Sequence, residues 1–524
     1  MVAPQRDVAR GRAASITFAA VAVAGAVMYV VNGRKVWFFG VFGDEWDFLA
    51  GRRLRVHDLL LRHGDHLVAL PALAFRVMYA LFGLRSYLPY QLLSIALHLV
   101  AAALLRVLMR RAGVQPWIAT AAAGLFVLFG SGSQDVLIAF QITFTGALVL
   151  GLTQLLLADH EGPIDRRDAL ALVAGIGALL CSDVSIVMIA VVGIATLLRR
   201  RWLAASLHTL PLAALYLAWL QGFGRGPHTD VHLSQVTTSV RTSLSASFGA
   251  LGVVPLAGWA LAIMLAAGLT LAVLDSARSA RPAELAPPIA LGIGAVAFSL
   301  MLAITRFGLG ARFAASSRYL HIIAALLLPA LAVAADAIAR RRRALGVVVI
   351  ALLLVGVPGN IARIGRNVGP AARYRAQRRT ISALPRARLA RAVPRALHPT
   401  PSFASEVTVG WLLDGAKSGR IPAPGRLTPT ERATDALRLS LEQLAATDAA
   451  TCDPLRSSVT RRLARGQSLA IRGTVAVQSR SPVSQPLTFG TSLLDGARSH
   501  ELLAVAGRLE LRISPRSLGA AICR

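Results

Sequence analysis

"ALALVAGIGALLCSDVSIVMIAVVGIATLLRRR", residues 169–201, decides how the chain is read. One membrane-spanning helix needs about 20 apolar residues, and the apolar stretch 169–198 is longer than that and broken by CSDVS at 181–185. Asp183 would be costly at mid-bilayer without a partner. Two short antiparallel helices meeting near the outer surface at this turn avoid that cost. The Arg triplet 199–201 then returns the chain to the cytoplasmic side, where arginines flanking spans accumulate. At such a turn an aspartate more often caps a helix than binds a ligand.

The same alternation of apolar runs and arginine clusters continues outward in both directions. Spans are expected near residues 15–31, 88–109, 116–130, 137–158, 202–220, 250–274, 288–305, 319–338 and 344–358. With the 169–198 pair this makes about eleven transmembrane helices, an all-α polytopic membrane protein. RRAG (110–113), DHEGPIDRRD (159–168), DSARSARPAELAPP (275–288) and RRRR (340–343) all fall on one side. The N-terminus is therefore expected in the cytoplasm, and the first span reads as an uncleaved anchor in the plasma (inner) membrane. Residues 67–83 carry Pro71 and Arg76 and are short, so they read as a helix lying in the interface rather than crossing it.

The composition agrees: 524 residues, 55% hydrophobic, 16% charged, mean hydropathy +0.59. The formal charge of +30 raises nucleic acid as a partner, but only Lys35 and Lys417 are lysines and 54 basic residues are arginine. Within the apolar region they fall in short clusters between apolar runs, which fits cytoplasmic loops and not a nucleic-acid surface.

Three regions follow: a transmembrane domain over 1–358, with a first outer loop at 32–87; a basic linker or helix over 359–400; and a small extracytoplasmic α/β or β-rich domain over 401–524. SLAIRGTVAVQ (468–478) and LLAVAGRLELRI (502–513) alternate as strands do. The basic stretch 372–396 reads as an amphipathic helix for anionic headgroups or an acidic glycan, or equally as a solvated linker. Outside the cytoplasm, Cys452 and Cys523 are a reasonable disulfide pair, whereas Cys181 in an apolar run is a buried small residue.

Acidic residues are scarce, which makes them informative. Fifteen lie between residues 14 and 358, and five of these (Asp44, Glu45, Asp47, Asp58, Asp65) sit in the first outer loop. RHGDHLVALP (62–71) adds His63 and His66 beside Asp65. Carboxylates and imidazoles above an apolar boundary suit general-base work or cation binding; solvated loop residues near headgroups are the bland alternative. Asp135 and Gln141 are more simply polar caps of a helix end. No metal-ligand spacing, phosphate-cradling glycine loop or nucleophilic triad is evident, so no cofactor is expected and divalent metal use has no support.

Taken in order, these segments resemble the GT-C superfamily of integral-membrane glycosyltransferases, in particular its protein O-mannosyltransferase-like and aminoarabinose-transferase-like branches. GDEW (43–46) looks like the acidic motif after the first span, and the stretch from HGDH (63–66) onward like the interfacial helix and second span. SQDVLIAFQITFTGALVL (133–150) and FAASSRYLHIIAALLLPALA (313–332) resemble later outer segments. The likeness covers about residues 15–340. It implies inverting transfer of a sugar from a polyprenyl-phosphate donor to an envelope glycan, lipid or protein. Asp44 would act as general base and Glu45 as its orienting partner, with Asp47 a weaker candidate. Arg318 would hold the leaving phosphate, with Arg306 and Arg312 as runners-up and His63, Asp65, His66 and Tyr319 lining the substrate. Interfacial anchoring by Arg318 and Tyr319 is the competing reading. A non-catalytic transporter or envelope-assembly scaffold is the alternative of a different class; a transporter should carry ionisable residues near the middle of several spans.

Overall fold

The computed structural model describes the chain except for residues 1–2, 35, 37–42, 225–231, 279–281, 307–308, 367, 448–450, 490–498 and 524, so the 279–281 part of one expected cytoplasmic loop lies outside the described residues. It is 67% helical. Contacts group it into two compact units: Met1–Lys35, Leu54–Leu73 and Leu88–Gly369 in the first, Val36–Arg53, Ala74–Tyr87 and Pro370–Arg524 in the second. This differs from a division at residue 358, because most of the first outer loop belongs with the C-terminal region.

The first unit is a helical bundle. Its main helices are α1 (Ala3–Gly33), α2 (Leu88–Arg111), α3 (Pro116–Val127), α4 (Ile142–Ala158), α5 (Arg166–Leu179), α6 (Val184–Leu198), α7 (Trp202–Phe223), α8 (Leu233–Gly252), α9 (Pro255–Arg278), α10 (Ala286–Thr305), α11 (Ser317–Ala339) and α12 (Arg343–Leu354). Among the described residues eight helices are long and apolar enough to cross a membrane, and α3 and α6 are shorter apolar helices. On α1 the apolar side chains Ile16, Val23 and Val27 are 70%, 65% and 56% exposed. An exposed face of that kind is stable against lipid rather than water. α11 is the opposite case, buried from Tyr319 to Ala339 apart from Ile338. Gly268 lets α9 approach it: a Cβ there would meet the Ala334 carbonyl oxygen at 2.3 Å.

The expected break in the 169–198 run is present as the turn between α5 and α6. α8 is a helix that apolar-run reading misses. It carries eight Ser and Thr residues between 234 and 247. Thr237, Thr238, Ser243, Ser245 and Ser247 donate to carbonyls three or four residues back, which satisfies the hydroxyls within the helix itself.

Among the described residues the second unit holds a sandwich of nine strands: β1 (Leu441–Thr447), β2 (Cys452–Pro454), β3 (Val459–Leu463), β4 (Ser468–Arg472), β5 (Val475–Ser479), β6 (Leu487–Phe489), β7 (Ser499–Ala504), β8 (Leu509–Pro515) and β9 (Ala521–Cys523). One sheet runs β1-β7-β4-β9-β2 and the other β3-β8-β5-β6, antiparallel throughout. Leu441, Ile471, Val475, Val477, Leu502, Leu511 and Ile513 form the core, and Cys452 and Cys523, paired across β2 and β9, are joined by a disulfide. The basic stretch 372–396 is not one helix. The helix Ala371–Ala383 ends before Pro385, and 3₁₀ turns Leu384–Arg386 and Arg388–Arg391 follow, because proline cannot donate to a helical ladder.

Candidate functional site

The two acids of the GDEW motif stand in different settings in the second unit. Gly43 takes φ +86°, a left-handed turn that favours glycine, and opens the short helix Asp44–Trp46. Asp44 is half-buried, whereas Glu45 is fully buried and accepts a hydrogen bond from Tyr87 Oη at 3.2 Å. Asp47 pairs with Arg52 at 2.7 Å. The helix then widens into a π-turn, Asp47–Gly51, a local irregularity that recurs at functional sites. Trp411 anchors this segment. Its indole N–H donates to the Leu49 carbonyl at 3.2 Å, and its ring stacks on Tyr79 and meets Trp46 edge-on. Glu45 is therefore built to hold position, and Asp44 is the motif acid with an exposed part.

The first unit gathers a second set. His63 and His66 form a tight antiparallel bridge through their backbones, which leaves the ring of His63 against Phe140 and turns Asp65 and His66 toward α6, α10 and α11. Arg306, at the end of α10, donates one N–H to Asp65 Oδ2 at 3.0 Å and another to His66 Nε2 at 2.8 Å. Arginine can only donate, so Nε2 accepts and the ring proton of His66 sits on Nδ1. That nitrogen is 3.0 Å from Asp183 Oδ2, with the carboxylate off the line of the N–H. Asp183 sits in the turn at the N-cap position of α6, as the turn-or-cap reading expects, but among the described residues its side chain makes no capping hydrogen bond and lies beside His66 instead. Phe144, Phe298, Met301, Leu302 and Tyr319 form apolar walls. The space left is about 20 Å³, about what one water needs.

Of the substrate-binding candidates, Asp65, His66 and Tyr319 meet in this cleft, and its guanidinium is that of Arg306. Arg318 lies over the rings of Phe313 and Tyr319 at 5.3 and 5.0 Å, and Arg312 is exposed on the preceding 3₁₀ turn. Asp135 Oδ2 lies 3.1 Å from His321 Nδ1, and Gln141 is buried with neither amide atom hydrogen-bonded among the described residues.

One further cluster had no sequence signal beyond scattered loop residues. His160, Asp165 and Asp168 bring ligand-type atoms within 4.8 Å of one another, a spacing that could hold a cation. Arg201 already fills that role, with Nη2 3.0 Å from Asp168 Oδ2. His160 and His208 lie 2.9 and 3.0 Å from the same carboxylate, and the Asp165 N–H donates to it. Burial opposes the charge, but the Asp165 N–H, His208, Arg201 and His160 together hold the Asp168 carboxyl well below the usual carboxylate range.

Compared with known proteins, the chain matches no family model, no curated protein and no solved structure.

Proposed function

We propose that the chain is an integral-membrane glycosyltransferase of the GT-C type. It moves a sugar from a polyprenyl-phosphate donor to an envelope glycan, lipid or protein on the extracytoplasmic face, with inversion. On this reading the bundle crosses the plasma membrane about eleven times, with the N-terminus in the cytoplasm and the sandwich outside. The observation that carries it is the Arg306 cleft: a guanidinium held by Asp65 and His66 beside the apolar side chains of Phe144, Phe298, Met301 and Leu302. A phosphate carried on an isoprenoid tail matches that pairing of chemistries.

An acceptor hydroxyl attacks the anomeric carbon, its proton passes to a general-base carboxylate, the role the family resemblance gives Asp44, and the bond from the anomeric carbon to the phosphate oxygen breaks. Negative charge then grows on the departing polyprenyl phosphate. A fixed guanidinium stabilises that charge more in the transition state than in the ground state, and arginine can offer phosphate two parallel N–H donors. Arg306 takes this role, Arg318 stands second to it, and Glu45 orients the motif. Purified Asp44→Asn and Arg306→Ala proteins should each lose transfer from labelled polyprenyl-phosphate sugar. Full turnover by both variants would end the assignment.

One observation favours the transporter reading instead: His98 and His321 are ionisable residues inside membrane-length helices. Proton-coupled uptake into sealed vesicles is the measurement that would promote it.

A further inference from the structure

The sealed histidines belong to a line of three groups that the transfer reaction does not use. His98 on α2, His321 on α11 and Asp135 in the short helix Gln134–Leu137 are each 0% exposed. His98 Nε2 is 3.1 Å from the Val127 carbonyl oxygen, and His98 Nδ1 is 3.0 Å from His321 Nε2. His321 Nδ1 is 3.1 Å from Asp135 Oδ2.

The protons along this line can be counted. A carbonyl only accepts, so His98 carries its proton on Nε2, and a neutral ring then accepts at Nδ1. His321 must donate to it from Nε2, which leaves a lone pair on its own Nδ1. That nitrogen is 3.1 Å from a carboxyl oxygen lying off the line of its lone pair, and two acceptors at this distance in a dry site repel unless a proton is held by one of them. Among the described residues neither Asp135 oxygen has a conventional hydrogen-bond donor, and an ionised carboxylate buried without donors is expensive.

We propose that Asp135 is a proton-binding site: at neutral pH it is a carboxylic acid that donates to His321 Nδ1, closing a neutral Asp135–His321–His98 chain that ends on the Val127 carbonyl. The chain ties α2, α3 and α11 to the 134–137 turn. The charged group acting on Asp135 is Arg318, one turn earlier on α11. Tyr29 from α1 sets its ring edge-on to His98 at 5.4 Å, and α3 contributes the Phe126 ring beside both imidazoles. Loss of the proton would place an anion opposite Arg318 and turn the Asp135–His321 contact repulsive. The proton therefore holds the head of α11 in register.

The test is infrared spectroscopy of the full chain in lipid nanodiscs, with the aspartate side-chain carboxyls labelled with carbon-13. The expected result is a carboxylic-acid carbonyl band that shifts with the label, persists at mildly alkaline pH and disappears in Asp135→Asn. Persistence separates it from Asp435 in the second unit, whose carboxyl burial pushes up to about 7 against the opposing charge of Arg438, and whose band should fade as pH rises. His321→Phe, which removes the acceptor, should move the Asp135 band to higher frequency and serves alone if Asp135→Asn does not fold. Absence of a persistent acid band, or a band indifferent to both substitutions, overturns the proposal.

Discussion

Two clusters in the first unit are assembled from the same parts, aspartate, histidine and arginine, and differ in whether anything remains to be bound. At Asp168 the carboxylate is 0% exposed and receives donors from Asp165, His160, His208 and Arg201. Arg201 places its other N–H groups on the carbonyls of Ala158 and Gly162. The carboxylate's charge and its hydrogen bonds are satisfied within the cluster, and the one loose end among the described residues is the buried Nδ1 of His208. At Arg306 the guanidinium is 23% exposed and its partner Asp65 is 39% exposed, so one partner can leave for water and another anion can take its place. Residue type does not separate a staple from a binding site here; saturation does.

The largest effect should come from breaking the closed cluster. Removing one member of a buried, hydrogen-bonded ion pair costs about 3–5 kcal/mol, because the remaining charge is stranded. Asp168→Ala should therefore sharply lower the melting temperature of the detergent-solubilised protein, or abolish its folding. The pH dependence follows from the same geometry. A carboxyl held below its ordinary range contributes stability that is fully present above about pH 4 and is lost as pH falls below that toward the depressed folded value. The wild-type melting temperature should drop on acidification, and an Asp168→Asn protein that folds should show a flatter profile. An unchanged profile would mean the carboxylate is not the charge that matters.

Breaking the open cluster should reverse the pattern, with a small cost in stability and a large one in turnover. Loss of one transition-state donor typically lowers kcat about 10²–10³-fold, and Arg306→Ala should fall in that range in the transfer assay. Arg306→Lys should recover little, since a lysine ammonium is a point charge without the two-pronged geometry. A fall in melting temperature as large as that of Asp168→Ala would make Arg306 a second staple.

The bundle was legible because apolar runs and arginine clusters follow directly from the cost of leaving backbone or charge in lipid. The break at Asp183 was legible for the same reason. α8 was hidden because hydropathy counts a serine as polar whether or not its hydroxyl is satisfied one turn back. The acids of GDEW (43–46) stand out in the sequence as a cluster of scarce carboxylates, but the split between half-buried Asp44 and sealed Glu45 depends on Tyr87, far along the chain. Asp183 read as a helix cap because its neighbours in sequence are a turn and an apolar helix; its partner, His66, comes from the first loop. The Asp168 cluster left no trace, since an acid beside arginines in a short loop is also what a solvated loop looks like.

The smallest predicted effect is also the most discriminating. Asp65 and Arg306 form a partly exposed pair, and such pairs contribute about 0–1 kcal/mol to stability. Asp65→Asn should leave the melting temperature nearly unchanged. In a staple, removing the acid could only loosen its arginine. In a site that exchanges one anion for another, Asp65 competes with the ligand for the same guanidinium N–H, and neutralising it should strengthen binding. A pair worth up to about 1 kcal/mol converts to at most about a five-fold change in affinity. Titration of the Asp65→Asn protein with polyprenyl phosphate should therefore show modestly tighter binding than wild type, together with a weaker dependence on salt. Weaker binding would place Asp65 among the ligand's own contacts or in the framework, and the contrast between the open and the closed cluster would fail at that residue.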